Sequence, residues 1–420
     1  MRRPTHPPPM RRPGRRRSGL GRPVLVGALV GWATLGSAGA LTAAPFPKID
    51  AASAIVEDRE TGEVLFERAA DETREIASLT KIMSAIVAYE ERPREPVAVV
   101  SAHAASLGEA TAHLRAGERV RFDDLLALMM MLSANDAAVA VAEHVAGSEQ
   151  AFVARMNRWA ERLGCYDTHF QNPHGLNADL HYSTARNVAT MARHLLQIPE
   201  AARLVAAKEL RIPRPGYRQD PMEVRNINSL LFWRPDVDGV KTGYTRRAGG
   251  CLVSSARRGE RGYIVVVLGS ESRFHDSDAL LTWAFESFDM RRVLEPGQPV
   301  HEVGIAHGVR HSVKVTPGER LDLLLPVGQP APAWDFRQQV HSAPIRAGAE
   351  VGTFTVWHRG VVYEVPGVAA EAVDLTWWRR MVAWPDGALL LLSAGILAVS
   401  SGYLFHYLTR SRPMRDQRST

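Results

Sequence analysis

Three short clusters hold the residue types that nucleophilic catalysis needs. Ser78-Leu79-Thr80-Lys81 sets a hydroxyl and an amine three residues apart. On a helix that spacing is close to one turn, so the two side chains share a face. A serine hydroxyl is a weak nucleophile until a base takes its proton. A lysine becomes such a base when burial or neighbouring cations depress its pKa. At a helix N-terminus, free backbone N–H groups and the helix dipole also favour the negative charge that develops during attack. Ser133-Ala134-Asn135 follows an apolar run at 125–132 and so is expected to end a buried helix. Its hydroxyl can pass on a proton and its amide can hold a carbonyl. Lys241-Thr242-Gly243 precedes the strand-like "GGCLVSSA". Lys241 offers charge to a carboxylate, Thr242 a hydroxyl, and Gly243 a place where another backbone can come close. Each cluster alone is a common peptide; the three in this order are specific.

Lysine usage sharpens the case. Of 51 basic residues only five are lysine, at positions 48, 81, 208, 241 and 314. Arginine is not deprotonated at working pH, so it replaces lysine in a salt bridge but not as a base. His174, within "NPHGL", invites a Ser-His-Asp reading, but no G-x-S-x-G elbow accompanies it. It is expected to be structural or to support the site from behind. His103, His113 and His144 read as helix-surface or packing residues, and Glu57 and Glu63 as solvated strand charges. Cys165 and Cys251 are the only cysteines and read as buried free thiols. No Cys/His cluster has structural-zinc spacing, and the chemistry asks for no metal or organic cofactor.

The elements that must position these clusters are legible in outline. Residues 45–70 read as two strands around Glu60-Thr61-Gly62. Residues 78–90, 122–164 and 186–197 have helical spacing of apolar residues. Strands return from 239, and a helix at 276–288 closes the unit. Strand hairpin, helical block, strands and helix predict an α/β (α+β) domain over 45–292, a mixed sheet with helices around it. Residues 293–373, rich in Val, Pro and Gly, predict a small all-β domain.

The ends carry the basic charge. The chain has a net charge of +6, but the eight arginines of residues 1–40 and a net +3 in 409–420 leave −5 for 41–408. A nucleic-acid footprint belongs on a folded domain, so this distribution excludes one. An Arg-rich start, an apolar run at 24–41 and Ala38-Gly39-Ala40 have the layout of a signal peptide, 1–40. Residues 387–408 contain no Asp, Glu, Lys or Arg. That run predicts a transmembrane helix, with tryptophans before it and a cytoplasmic basic tail, 409–420, behind it.

The sequence resembles the D-alanyl-D-alanine carboxypeptidases, the low-molecular-mass penicillin-binding proteins. The resemblance rests on "ASLTKIMSAIVAYE", "MLSANDAAVAVAEHVAG", "THFQNPHGL", "DGVKTGYTRRAGGCLVSSA" and "RFHDSDALLTWAFESF". It implies a penicillin-recognising, β-lactamase/transpeptidase-like catalytic domain. It implies removal of the terminal D-Ala from peptidoglycan stem pentapeptides, with β-lactams as covalent inhibitors. Ser78 would be the nucleophile and Lys81 its base, with Ser133 and Asn135 in proton relay and substrate binding. Lys241, Thr242 and Gly243 would line the substrate, and the N–H groups of Ser78 and Tyr244 would form the oxyanion hole. Arg273 would bind the terminal carboxylate. Tyr244 departs from a pattern in which His often follows the triplet, and a full membrane span departs from the family's amphipathic anchor. Two rivals stay in view. A secreted β-lactamase would turn over penicillin quickly, and a catalytically idle peptidoglycan-binding protein would not be acylated at all.

Overall fold

The computed structural model describes residues 45–216, 220–383 and 387–410, without the side chains of 381, 383, 387–391 and 408–410. The expected leader and residues 411–420 of the basic tail lie outside the described residues. Five antiparallel strands form the central sheet, in the spatial order Val64–Arg68, Ser53–Asp58, Arg261–Ser270, Gly249–Arg258, Val237–Thr245. The middle strands bury both faces, so they read as continuous apolar runs rather than alternating ones. Along Arg261–Ser270 the period of two divides side chains between two cores. Ile264, Val266 and Leu268 join the larger core, and Tyr263, Val265 and Val267 the smaller.

The larger core packs this sheet against the helices Thr80–Glu90, Phe122–Met131, Asn135–Ala146 and Ala185–Gln197. The smaller core packs the other face against the helix Arg273–Ser287. A third core lies in the β-rich region. There a five-stranded antiparallel sheet runs in the order His301–Gly304, Ser312–Pro317, Val361–Ala369, Glu350–His358, Trp334–Gln338. The strand Leu321–Pro326 pairs with Phe288–Leu294 and joins the regions. Its Leu324 packs into the sheet-and-helix core, while Leu323 and Leu325 face the β-rich one.

Several expectations need correction. Glu57 is not solvated: it is 3% exposed, because its strand is covered on both faces. Burial raises its carboxyl pKa to about 7, against the opposing charges of Arg193 and Arg186. Glu63 is not free either. Arg359, in the turn after Glu350–His358, sits 2.8 Å from its carboxylate and ties the first hairpin to the β-rich region. His113 lies in an exposed loop with φ 54°, not on a helix. The expected transmembrane run is helical over Gly387–Arg410. Among the described residues, however, no helix is long and apolar enough to cross a membrane.

Candidate active site

Ser78 sits where the chain passes from hairpin to helix, in a single 3-10 turn, Ala77–Leu79, ahead of the helix Thr80–Glu90. Ala77 is left-handed, φ 48°. Its carbonyl accepts from Thr80 Oγ1 at 2.8 Å. Thr80 is fixed in turn by His181. The Gln171 N–H donates to His181 Nδ1 at 3.1 Å, which leaves Nε2–H to donate to Thr80 Oγ1 at 2.7 Å. Burial, then the charges of His169 and Lys81, hold His181 down to about 4, so its ring is neutral.

Lys81 is fully buried and has three partners. Its Nζ lies 3.0 Å from Ser78 Oγ, 2.8 Å from Asn135 Oδ1 and 2.6 Å from the His174 carbonyl. The amide and backbone oxygens can only accept. A neutral amine therefore gives its two N–H groups to them and turns its lone pair toward Ser78, the one partner with a proton to give. Burial first, and the Lys241 charge second, push Lys81 well below the usual lysine range, while Asp136 acts the other way. The arrangement sets a buried amine within hydrogen-bond reach of the serine hydroxyl, as a serine–base pair requires.

The Ser133-Ala134-Asn135 cluster does more than end a helix: it joins Phe122–Met131 to Asn135–Ala146. Ser133 is buried and left-handed, φ 61°, and Asn135 opens the second helix. The Asn135 Nδ2 donates to the Gly108 carbonyl at 3.4 Å, which orients Oδ1 toward Lys81.

The loop carrying His174 was underestimated in the sequence. Asn172 Oδ1 accepts from the His174 and Gly175 N–H groups at 3.3 and 2.6 Å, and Ser84 Oγ donates to the Pro173 carbonyl at 2.6 Å. Gly175 has φ 88°, and a Cβ there would stand 2.0 Å from the Ala77 carbonyl oxygen. Only glycine lets the loop reach the nucleophile's turn. The signal was the Asn-Pro-His-Gly string itself, whose turn chemistry is local; its partner across the fold was not. Burial, then Lys81, His181 and His103, hold His174 down to about 3. It thus supports the site from behind, through its backbone.

Lys241, Thr242, Gly243 and Tyr244 lie inside an edge strand, Val237–Thr245, and the expected strand follows them at Gly249–Arg258. A Cβ on Gly243 would come within 3.1 Å of the Ile76 carbonyl oxygen and the Ser78 nitrogen. The strand therefore runs against the Ser78 turn with no side chain between them. Lys241 and Thr242 are buried, while Tyr244 is 66% exposed. Lys241 Nζ donates to the Thr242 carbonyl at 2.8 Å. Burial, then Arg273, lower Lys241 to about 7. Arg273 opens the helix Arg273–Ser287. Its Nη1 would meet a Cβ on Gly250 at 3.2 Å, and Gly250 pairs with Tyr244. Its Nε is buried without a hydrogen-bond partner. Both cysteines are buried and free. Among the described residues no group of three or more His, Cys, Asp or Glu is placed to hold a metal ion.

Residues 40–272 match the family model described as D-alanyl-D-alanine carboxypeptidase. A Bacillus subtilis relative, D-alanyl-D-alanine carboxypeptidase DacF, is 32% identical over 339 residues, 77% of this chain and 85% of its own. The Escherichia coli D-alanyl-D-alanine carboxypeptidase DacC is 34% identical over 78% of this chain and 85% of its own. Among solved structures, penicillin binding protein 5 from Haemophilus influenzae superposes with a TM-score of 0.61 at 27% identity, over 78% of this chain and 98% of that one. A seated serine–lysine pair, a cationic edge strand and these matches lead to one conclusion: the chain belongs to the D-alanyl-D-alanine carboxypeptidases and is a serine-type carboxypeptidase of that family.

Proposed function

We propose that the chain removes the terminal D-Ala from peptidoglycan stem pentapeptides through an acyl-enzyme on Ser78. The observation that carries this reading is the Lys81 amine, buried and bound to two acceptor-only oxygens, with Ser78 Oγ as its remaining partner. Neutral Lys81 takes the hydroxyl proton as Ser78 Oγ attacks the carbonyl of the penultimate D-Ala. The N–H groups of Ser78 and Tyr244 receive the oxyanion. The proton passes from Lys81, by way of Ser133, to the amine of the departing D-Ala. Water then hydrolyses the ester, with the same lysine as base. Lys241, Thr242 and Arg273 hold the terminal carboxylate, and buried cations with few partners suit that task. A β-lactam opens on Ser78 along the same path and stays attached.

Mass spectrometry tests this directly. Benzylpenicillin should add one acyl group, on Ser78, and a diacylated Lys-D-Ala-D-Ala peptide should lose one D-Ala. Rapid penicillin turnover would favour the β-lactamase reading, and absence of any adduct would favour an idle binding protein.

The catalytic region is proposed to work outside the cell membrane, after export by the N-terminal leader. The charge-free run 387–408 supports an anchor there. So do the exposed side chains of Leu392, Ile396, Leu397, Leu404 and Phe405. An anchor of this kind resists high salt and carbonate, because apolar burial rather than charge holds it. Release of the protein by either wash would reject it.

A further inference from the structure

Asp136 is 1% exposed, yet the reaction as described gives it no task. It stands in the first turn of the helix Asn135–Ala146, one residue after the amide that holds Lys81. Its carboxylate accepts the Ala112 N–H at 3.0 and 3.1 Å, the Leu114 N–H at 3.0 Å and the Ala137 N–H at 2.9 Å. These donors are backbone groups, which stabilise a negative charge without cancelling it. The neighbouring strands of chain are tied reciprocally: the Asn135 N–H donates to the Ala110 carbonyl at 2.7 Å, and its side-chain amide to Gly108. The segment 108–114 and the turn into the helix are thereby locked together, and the lock determines which end of the Asn135 amide faces Lys81.

We propose that Asp136 is a positioning residue for acylation: it fixes the Asn135 amide with its oxygen toward Lys81, and it sets a carboxylate one residue beyond that amide on the same helix. The inference rests on Lys81 being the base.

The charged and titratable groups that act on Lys81 come from three elements. Lys241, on the edge strand, disfavours its protonation, and Asp136, on the helix, favours it. His174 and His181, from the segment behind the nucleophile, are held down to about 3 and about 4 and so are neutral at working pH. Lys241 owes its own shift to burial and Arg273. Changing Asp136 therefore acts on one lysine of the two. Acylation needs neutral Lys81, so its rate rises as pH climbs through the Lys81 pKa. Removing the nearby negative charge lowers that pKa, and the acidic limb moves to lower pH.

The test is the pH dependence of benzylpenicillin acylation by the full chain, read by mass spectrometry, in wild type, Asp136→Asn and Asp136→Glu. Asp136→Asn should move the acidic limb down by about half a pH unit or more. It should also reduce the limiting rate about tenfold or more, through the misplaced amide. Asp136→Glu keeps the charge, so its limb should stay with wild type even if its rate falls. Should Asp136→Asn fail to fold, Asp136→Ser serves, since its hydroxyl accepts one loop N–H without charge. A folded neutral variant with an unmoved limb overturns the proposal, as does failure of both neutral variants to fold, which would make Asp136 a folding residue. Normal acylation by Lys81→Met would instead overturn the base assignment on which the inference stands.

Discussion

The two walls of the site are built differently. On the helical wall the amine beside the nucleophile and the groups that aim it are bonded in place: Lys81 has three partners, and Thr80, Asn135 and Asn172 each make specific bonds. On the strand wall Lys241 Nζ donates to the carbonyl of its own neighbour, Thr242, and Arg273 Nε is buried without a hydrogen-bond partner. A proton transfer needs its donor and acceptor fixed before substrate arrives. A carboxylate clamp instead gains by leaving buried cations short of partners until the anion supplies them. The difference teaches that two lysines of the same burial can hold opposite offices, one prepared to accept a proton and one prepared to accept a ligand.

The sharpest way to break this comparison is to remove the nucleophile. Ser78→Ala should abolish both the penicillin adduct and D-Ala release, and an adduct on another serine would sink the assignment. Next come the lysines as a pair. Lys81→Arg keeps charge but removes a usable base, so acylation should fall by at least ~100-fold. Lys241→Arg should cost less, since arginine still binds a carboxylate. Equal tolerance at both positions, measured as acylation rates, would erase the distinction between the walls.

The glycines test how rigid each wall is. Gly175→Ala asks for a Cβ 2.0 Å from the Ala77 oxygen at φ 88°. It should destabilise the fold by about 2 kcal/mol or more and slow acylation at least tenfold on the order-of-magnitude scale for a misplaced base. Gly243→Ala meets its nearest atoms at 3.1 Å and has no left-handed requirement, so its effect on melting temperature should be smaller. The reverse order would mean that the strand wall is the stiffer one.

The clamp has a pH signature. Lys241, lowered to about 7, is a cation below that pH and loses its charge above it. A bound carboxylate favours the charged form, so KM for a free-acid peptide should rise severalfold between roughly pH 6 and 8. The C-terminal amide of the same peptide should show no such rise, and parallel curves would remove Lys241 from the clamp. The smallest effect lies outside both walls. Glu57, raised to about 7, loses folded-state stability as pH climbs from the ordinary glutamate value of about 4.5 through about 7. Glu57→Gln should therefore be more stable than wild type by about 2 kcal/mol near pH 8, and no different near pH 4. Denaturant melts at the two pH values check the sign.

Much of this architecture is legible in the chain. The two-strand opening, the helical blocks and the late strands have the periods that the structure shows, because backbone geometry imposes them locally. Boundaries were less readable. Strands are expected from 239, whereas the edge strand starts at Val237 and runs through Thr245. Its length depends on pairing with Gly249–Arg258. Glu57 looked solvated because charge normally marks a surface, and no local signal shows that a second layer will cover its strand.

By itself the sequence determined the reacting groups and their local posture: serine and lysine one turn apart, the glycines that permit close approach, and the scarcity of lysine that makes Lys81 and Lys241 stand out. Tertiary structure alone decided what those groups are. Ser78 and Lys81 are neighbours in sequence, but Asn135 and the His174 carbonyl, which aim the amine, come from 54 and 93 residues away. Burial and the approach of Lys241 lower the pKa of Lys81, as the proposed base requires, and burial with Arg273 lowers that of Lys241, the proposed carboxylate ligand. The physical reason is that a pKa belongs to an environment, and this environment exists only once distant segments have closed around the amine.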